Sequence, residues 1–134
     1  MKLRLLMVDD DVTLTHVLGK CVERDGRWEF NSASNFSDGI ERARSWRPDV
    51  IILDYDFGPG RQTGFDVLKA LRLDPALAPI PVIVFTGTMI RSDNVVEGLD
   101  LGADSYLRKP VSPEVLLARA RAAVARSQKA DRMR

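Results

Sequence analysis

Several residue classes that would announce a redox, membrane or nucleic-acid protein are scarce in this chain. It has 134 residues and a single cysteine, Cys21, which excludes an internal disulfide and fits a reducing compartment. No apolar run approaches the ~20 residues that a membrane helix needs. The opening Met1–Val8 stretch is too short for a signal peptide and stops at Asp9-Asp10-Asp11. There is no basic excess either. Twenty Lys/Arg stand against 19 Asp/Glu, a formal charge of +1, where a nucleic-acid surface normally shows a marked positive balance. The length predicts one compact domain and excludes a multi-domain enzyme. A soluble, cytoplasmic domain is expected. The near-zero charge conceals an asymmetry, however. Residues 1–107 hold 12 basic and 17 acidic side chains, whereas residues 108–134 hold 8 and 2.

What is present is an alternation of two hydrophobic periods. Leu3–Val8 is a short apolar run suited to a buried strand. Leu14, Val17, Leu18, Cys21 and Val22 then recur at the spacing of an amphipathic helix over Val12–Asp25. Trp28–Ala33 is a weaker strand candidate, and Asn35 is placed to cap a helix from Phe36 to Trp46 that ends before Pro48. Val50–Leu53 is β-branched, continuous and runs directly into Asp54. Thr63 and Asp66 form a capping-box pattern for a third helix, which stops before Pro75. Pro81–Phe85, Ser92–Asp100 and Ser105–Arg108 read as strand, helix and strand. Ser112-Pro113-Glu114 opens a fifth helix with a capping serine, a first-turn proline and an early acid.

Five strands alternating with five helices predict an α/β protein with a parallel sheet covered on both faces. Right-handed crossovers reduce the topology to a doubly wound sheet, most simply of order 2-1-3-4-5, the flavodoxin-like arrangement. Ligands in such sheets bind beyond the carboxyl ends of the strands. There the sequence places Asp9-Asp10-Asp11 after the first strand, Asp54 after the third, Thr86 after the fourth and Lys109 after the fifth. Carboxylates gathered in one crevice repel one another unless a cation compensates, and an all-oxygen set favours Mg²⁺ (or Mn²⁺). A carboxylate beside such an ion can act as a nucleophile toward phosphorus. Phosphoryl transfer then needs positioning and charge neutralisation, for which Lys109 supplies a point charge and Thr86 a hydroxyl.

These pieces together resemble the receiver domains of two-component response regulators. They are Val8-Asp9-Asp10, Val50-Ile51-Ile52-Leu53-Asp54, Val84-Phe85-Thr86-Gly87 and Gly102-Ala103-Asp104-Ser105-Tyr106-Leu107-Arg108-Lys109-Pro110, and the match runs from Lys2 to about Arg126. The resemblance implies a receiver domain over residues 1–126, with 127–134 as a tail or the start of a linker. It implies that Asp54 accepts a phosphoryl group from a phosphohistidine of a sensor histidine kinase or a histidine phosphotransfer protein. Asp9, Asp10, Asp54 and the backbone carbonyl of Asp56 would hold Mg²⁺, and Lys109–Pro110 would be cis. Thr86 and Tyr106 would form a switch pair. Phosphorylation would then alter the surface made by the fourth helix, fifth strand and fifth helix, and so control a downstream protein or output domain. A homodimer through that surface is a possible assembly; membrane association and direct nucleic-acid binding are not implied. Such a chain is not an enzyme, beyond its own phosphorylation and slow autodephosphorylation.

The sequence departs from the usual pattern at four places. The loop from Tyr55 to Thr63 is about two residues longer than common. Gly87 stands where alanine is usual, and would widen access beside Asp54. Val111 stands where an aromatic is frequent, and Asp56 adds a carboxylate two positions after the acceptor.

Plainer readings exist for individual residues. The acidic triplet can start a helix, Thr86 can end a strand, Lys109 can be a surface lysine and Tyr106 a fixed half-buried ring. His16 lies opposite the first helix's apolar stripe and is expected in solvent; Cys21 lies on that stripe and is expected in the core. The basic series Arg119, Arg121, Arg126, Lys129, Arg132 and Arg134 reads as a solvated helix end. Two other functions share parts of the pattern. One is a haloacid-dehalogenase-like phosphohydrolase, in which Asp54 and Asp56 form an Asp-x-Asp pair. Its acidic cluster would not lie upstream, and about 80 residues after Asp54 leave little room for a cap domain. The other is a flavin-binding domain, whose phosphate loop Asp9-Asp10-Asp11 would repel. Asp56, with Thr88, is positioned by sequence to tune the lifetime of a phosphoryl group on Asp54. An Asp56→Asn variant is accordingly expected to change the dephosphorylation rate, followed by loss of the phosphorylated species with time. An unchanged rate removes that role.

Overall fold

A computed structural model describes residues 1–55, 63–87 and 92–132. The elements follow in strict alternation: β1 Leu3–Val8, α1 Val12–Asp25, β2 Trp28–Ala33, α2 Phe36–Trp46, β3 Val50–Asp54, α3 Gly64–Leu73, β4 Val82–Thr86, α4 Ser92–Asp100, β5 Ser105–Arg108 and α5 Pro113–Arg132. The sheet has the order β2-β1-β3-β4-β5, and every neighbouring pair is parallel. This is the expected doubly wound architecture.

The strand runs are continuous in sequence but divide by parity in space, because successive side chains point to opposite faces. Leu5, Met7, Val50, Ile52, Ile83 and Phe85 pack beneath α1 and α5, with Leu18, Val22, Leu116 and Leu117. Leu6, Val8, Ile51, Leu53, Val82 and Val84 pack beneath α2 and α3, with Ile40, Val67, Leu68 and Leu71. Every side chain of Val50–Leu53 is at most 1% exposed. Burying one such aliphatic chain contributes about 1.5–3 kcal/mol. Two-sided burial therefore explains why the third strand carries no polar residue before its carboxyl end.

Local signals place the helix ends. Asp11 accepts from the Leu14 amide at 3.0 Å and starts α1. Asn35 accepts from the Asp38 amide at 2.9 Å and starts α2. At α3 the capping box forms: the Thr63 amide donates to Asp66 at 2.9 Å, and the Thr63 hydroxyl accepts from the Phe65 amide at 3.2 Å. Ser112 accepts from the Val115 amide at 3.3 Å at the head of α5.

Two expectations for α1 need correction. The buried face is Thr15, Leu18, Gly19 and Val22, while Val17 is 54% exposed. The Phe30 ring sits so close to Gly19 that a Cβ there would fall 2.6 Å from it, which rotates the packed face toward β2. Cys21 consequently lies at the margin and is half-buried, lining a groove with Arg24, Arg27 and Arg121 instead of joining the core. His16 is exposed as expected.

At the end of the sheet opposite Asp54, Arg72 ties three segments together. Its guanidinium donates to the carbonyls of Ala78 (2.9 Å), Ile80 (2.8 Å) and Gly102 (2.6 Å), and approaches Asp104 at 3.7 Å. Gly102 has φ 101°, a left-handed conformation disfavoured for other residues, and a Cβ there would fall 2.7 Å from the Arg72 Nε. The clamp thus anchors the end of α4 to the end of α3. An Arg72→Met variant is expected to lose about 2–3 kcal/mol of stability, read as a lower urea midpoint, because partly buried carbonyls lose a charged donor. A midpoint equal to wild type would contradict the clamp.

Candidate functional site

The parallel strands deliver their chemical residues to one edge. β1 ends at Val8, and the next residue, Asp9, is held by its amide on the Ala33 carbonyl at 3.0 Å. The Asp9 carboxylate is 1% exposed and accepts from the Asp11 amide at 2.9 Å. Asp54 is the last residue of β3 and is 2% exposed. Asp10 faces solvent. One carboxylate oxygen from each of Asp9, Asp10 and Asp54 lies within 4.8 Å of the others.

Lys109 reaches this cluster from just beyond β5. Its amide donates to the Thr86 carbonyl at 2.7 Å, which fixes the chain where its side chain turns inward, and the following Pro110 bond is cis. The Nζ lies 2.9 Å from Asp9 and 3.3 Å from Asp54, and 5.1 Å from the centre of the Phe85 ring. Burial alone would pull the Lys109 ammonium down. The hydrogen bond and charge of Asp9, and then those of Asp54, outweigh it and hold the group above its ordinary value. One ammonium thus serves two buried carboxylates, with a third carboxylate at the mouth. The all-oxygen donor set suits a hard divalent cation with part of its water shell retained.

Thr86, 2% exposed, ends β4 opposite Arg108. Tyr106 pairs with Val84 on β5 and packs against the α2–α3 face of the sheet. Burial, with Tyr55 and Glu97 nearby, pushes its phenol up to about 12. The structure therefore brings Asp9, Asp10, Asp54 and Lys109 together and sets Thr86 and Tyr106 on neighbouring strands. Asp56 and Thr88 lie outside the described residues. A methyl group at Gly87 would meet the Lys109 stem at 3.6 Å, an ordinary contact, so the space left by this glycine lies against Lys109.

Two supporting residues were not singled out from the sequence. Gly64 begins α3 directly against the end of β3: its amide donates to the Tyr55 carbonyl at 2.8 Å, and a Cβ would fall 2.5 Å from the Asp54 carbonyl oxygen. The signal available was a glycine following a capping threonine. Phe65 meets the Tyr55 ring edge-on, with centroids 5.0 Å apart. No local pattern announces that pair.

Comparison with known proteins agrees with this geometry. A family model described as the response regulator receiver domain matches residues 5–121. The DNA-binding response regulator MtrA of Mycolicibacterium smegmatis is 36% identical over 130 residues, covering 96% of this chain and 53% of that protein. The phosphate regulon transcriptional regulatory protein PhoB of Pseudomonas aeruginosa is 32% identical over 127 residues, covering 95% and 54%. The chain thus spans about half the length of these relatives. Among solved structures, a CheY-like receiver domain protein from Methanospirillum hungatei superposes with a TM-score of 0.83 at 26% identity, covering 96% of this chain and 98% of that one. Chemotaxis protein CheY4 of Vibrio cholerae gives 0.81 at 27% identity, covering 92% and 99%. Nothing in these likenesses supports the phosphohydrolase alternative, and the matched family is not a catalytic one. By sequence, topology and the constellation of Asp9, Asp10, Asp54 and Lys109, the chain belongs to the response regulator receiver domain family.

Proposed function

We propose that this domain is a phosphorylation-dependent switch whose acceptor is Asp54. The observation that carries this reading is the shared ammonium: Lys109 pairs with both Asp9 and Asp54, each almost fully buried, beside a solvent-facing Asp10. Burying a carboxylate after four apolar residues is unfavourable unless charge and hydrogen bonds replace its water, as Lys109 does in part. The same carboxylate is well placed for attack on phosphorus.

In this reading an Asp54 oxygen bonds to phosphorus as the P–N bond of a donor phosphohistidine breaks. The departing imidazole nitrogen keeps that bond's electron pair. Asp9, Asp10 and the Asp54 carboxylate would hold Mg²⁺ or Mn²⁺, with the Asp56 carbonyl as a further ligand; bound there, the ion supplies charge neutralisation at the transferring group. Lys109 turns from the bare carboxylates to a phosphoryl oxygen, and the Thr86 hydroxyl donates to another. Self-catalysed phosphorylation and slow autodephosphorylation belong to the same proposal, with Asp56 and Thr88 tuning the second.

The donor is a sensor histidine kinase or a histidine phosphotransfer protein. The signal passes to a downstream protein or output domain through the surface of α4, β5 and α5. Val96, Leu99 and Val115 lie exposed on those two helices, which also suits a homodimer. We take residues 1–126 as the receiver domain, a boundary supported by the last buried α5 residue among those described, Val124, and 127–134 as a tail or the start of a linker. Among the described residues no helix is long and apolar enough to cross a membrane, and we place the domain in the cytoplasm without nucleic-acid binding of its own.

Incubation with Mg²⁺ and acetyl phosphate is expected to add one phosphoryl group per chain by mass, and none to Asp54→Asn. An equal adduct on the variant would overturn the assignment. Mg²⁺ alone is expected to raise the melting temperature, by the equivalent of about 2.7 kcal/mol at one hundred times its dissociation constant. The rise should shrink in Asp10→Asn, measured by a thermal scan at graded Mg²⁺. Identical curves for the two proteins would remove Asp10 from the cation site.

A further inference from the structure

Glycine is a poor choice for the interior of a short helix, where it forfeits roughly 1 kcal/mol relative to alanine. α4 nevertheless carries Gly98 in its second half, buried, within a helix of 9 residues. The reason is visible across the gap to β5. A Cβ built on Gly98 would overlap the Tyr106 hydroxyl oxygen, and would fall 2.7 Å from the Tyr106 Cζ and 2.7 Å from the Phe65 Cε1. The tip of the Tyr106 ring thus occupies the volume that any other residue at position 98 would fill with its own side chain.

That notch connects to the acceptor strand. Phe65, which also borders it, packs edge-on against Tyr55, and Tyr55 follows Asp54 directly. Gly64 fixes the start of this helix on the Asp54 and Tyr55 backbone. A contiguous chain of packed groups therefore runs from Asp54 through Tyr55 and Phe65 to the gap between Gly98 and Tyr106. Close-packed interiors do not deform continuously, so a ring of this size either fills the notch or leaves it.

We infer that Gly98 is the positioning residue of the switch: among the described residues, its missing side chain leaves the space in which the Tyr106 ring lies inward beneath α4. The inference deepens the reading of Asp54 as phosphoacceptor and rests on it for its signalling consequence, though the steric claim stands apart. Tyr106 and α4 are mutually committed. The ring is inward while the Gly98 backbone faces it, and a displacement of α4 closes the seat and drives the ring toward solvent. A methyl group at position 98 denies the inward state without touching Asp9, Asp10, Asp54 or Lys109. The site would still be phosphorylated, and the surface of α4 and β5 would no longer respond.

The test uses the whole chain with ¹³C-labelled tyrosine rings, of which there are only two, Tyr55 and Tyr106. In the wild type, cross-relaxation is expected between the Tyr106 ring and both Gly98 Hα and the Phe65 ring, and it should strengthen with Mg²⁺ and beryllofluoride. In Gly98→Ala those signals should vanish in both conditions, while acetyl phosphate still forms the Asp54 adduct. A stability cycle covers the case in which the single variant folds poorly. Gly98→Ala in a Tyr106→Leu background should be as stable as Tyr106→Leu alone, or more so, since alanine is the better helix former. Persistence of the Tyr106–Phe65 signals in Gly98→Ala overturns the inference, as does an equal loss of stability with and without the Tyr106 ring. Absence of an adduct on the wild type would instead defeat the phosphoacceptor reading, with the ring signals still deciding the role of Gly98.

Discussion

Two carboxylates withdrawn from water around a single ammonium set the terms for the rest of this molecule. Asp9 and Asp54 are each almost fully buried, and each lies within about 3 Å of the same Lys109 Nζ. Placing a carboxylate in such a site is unfavourable unless charge and hydrogen bonds replace its water. Lys109 replaces part of it and the Asp11 amide another part, and Asp10 adds a third carboxylate at the solvent-facing side. Such an all-oxygen group suits a hard divalent cation. Stability is given up for that capacity, as at many functional sites.

Holding those groups in place requires three strands that are distant in sequence. Lys109 follows Asp9 by 100 residues and Asp54 by 55. Their meeting depends on parallel pairing of β1 with β3, β3 with β4 and β4 with β5, which brings all carboxyl ends to one edge. The pairing is secured by burial on both faces, through the alternation of Leu, Val and Ile side chains between two apolar layers. At the opposite edge Arg72 binds the returning loops together. Between the two edges lies the Tyr55, Phe65 and Tyr106 packing, which links the end of β3 to α4.

Much of this was legible from local pattern. The strand runs, the caps at Asn35, Thr63 and Ser112, and the prolines at 48, 75 and 113 each act within a few residues, so their effect survives without knowledge of the fold. Asp54 stood out because an acid at the end of a buried run demands a purpose. Lys109 and Thr86 were weaker as single residues and gained meaning only with the strand order. In α1 the local pattern and the packed face differ. Val17 and Cys21 satisfy the helical period, yet Phe30 packs so tightly on Gly19 that the helix turns another stripe toward the sheet. Periodicity locates an apolar face to within one residue's rotation, and the contact with β2 decides the remainder.

The amino-acid order by itself determined the alternation of strands and helices, the parallel doubly wound sheet and the edge at which chemistry collects, because these follow from propensity, period and the handedness of crossovers. Only the tertiary structure decided which carboxylates share the lysine, how deeply Asp9 and Asp54 are buried, and that two glycines, Gly64 and Gly98, exist to admit a backbone and a phenol ring. The division has a physical basis. Secondary structure is written in interactions spanning a few residues, whereas burial, charge pairing and steric room at a site are properties of segments that meet only after the chain has folded.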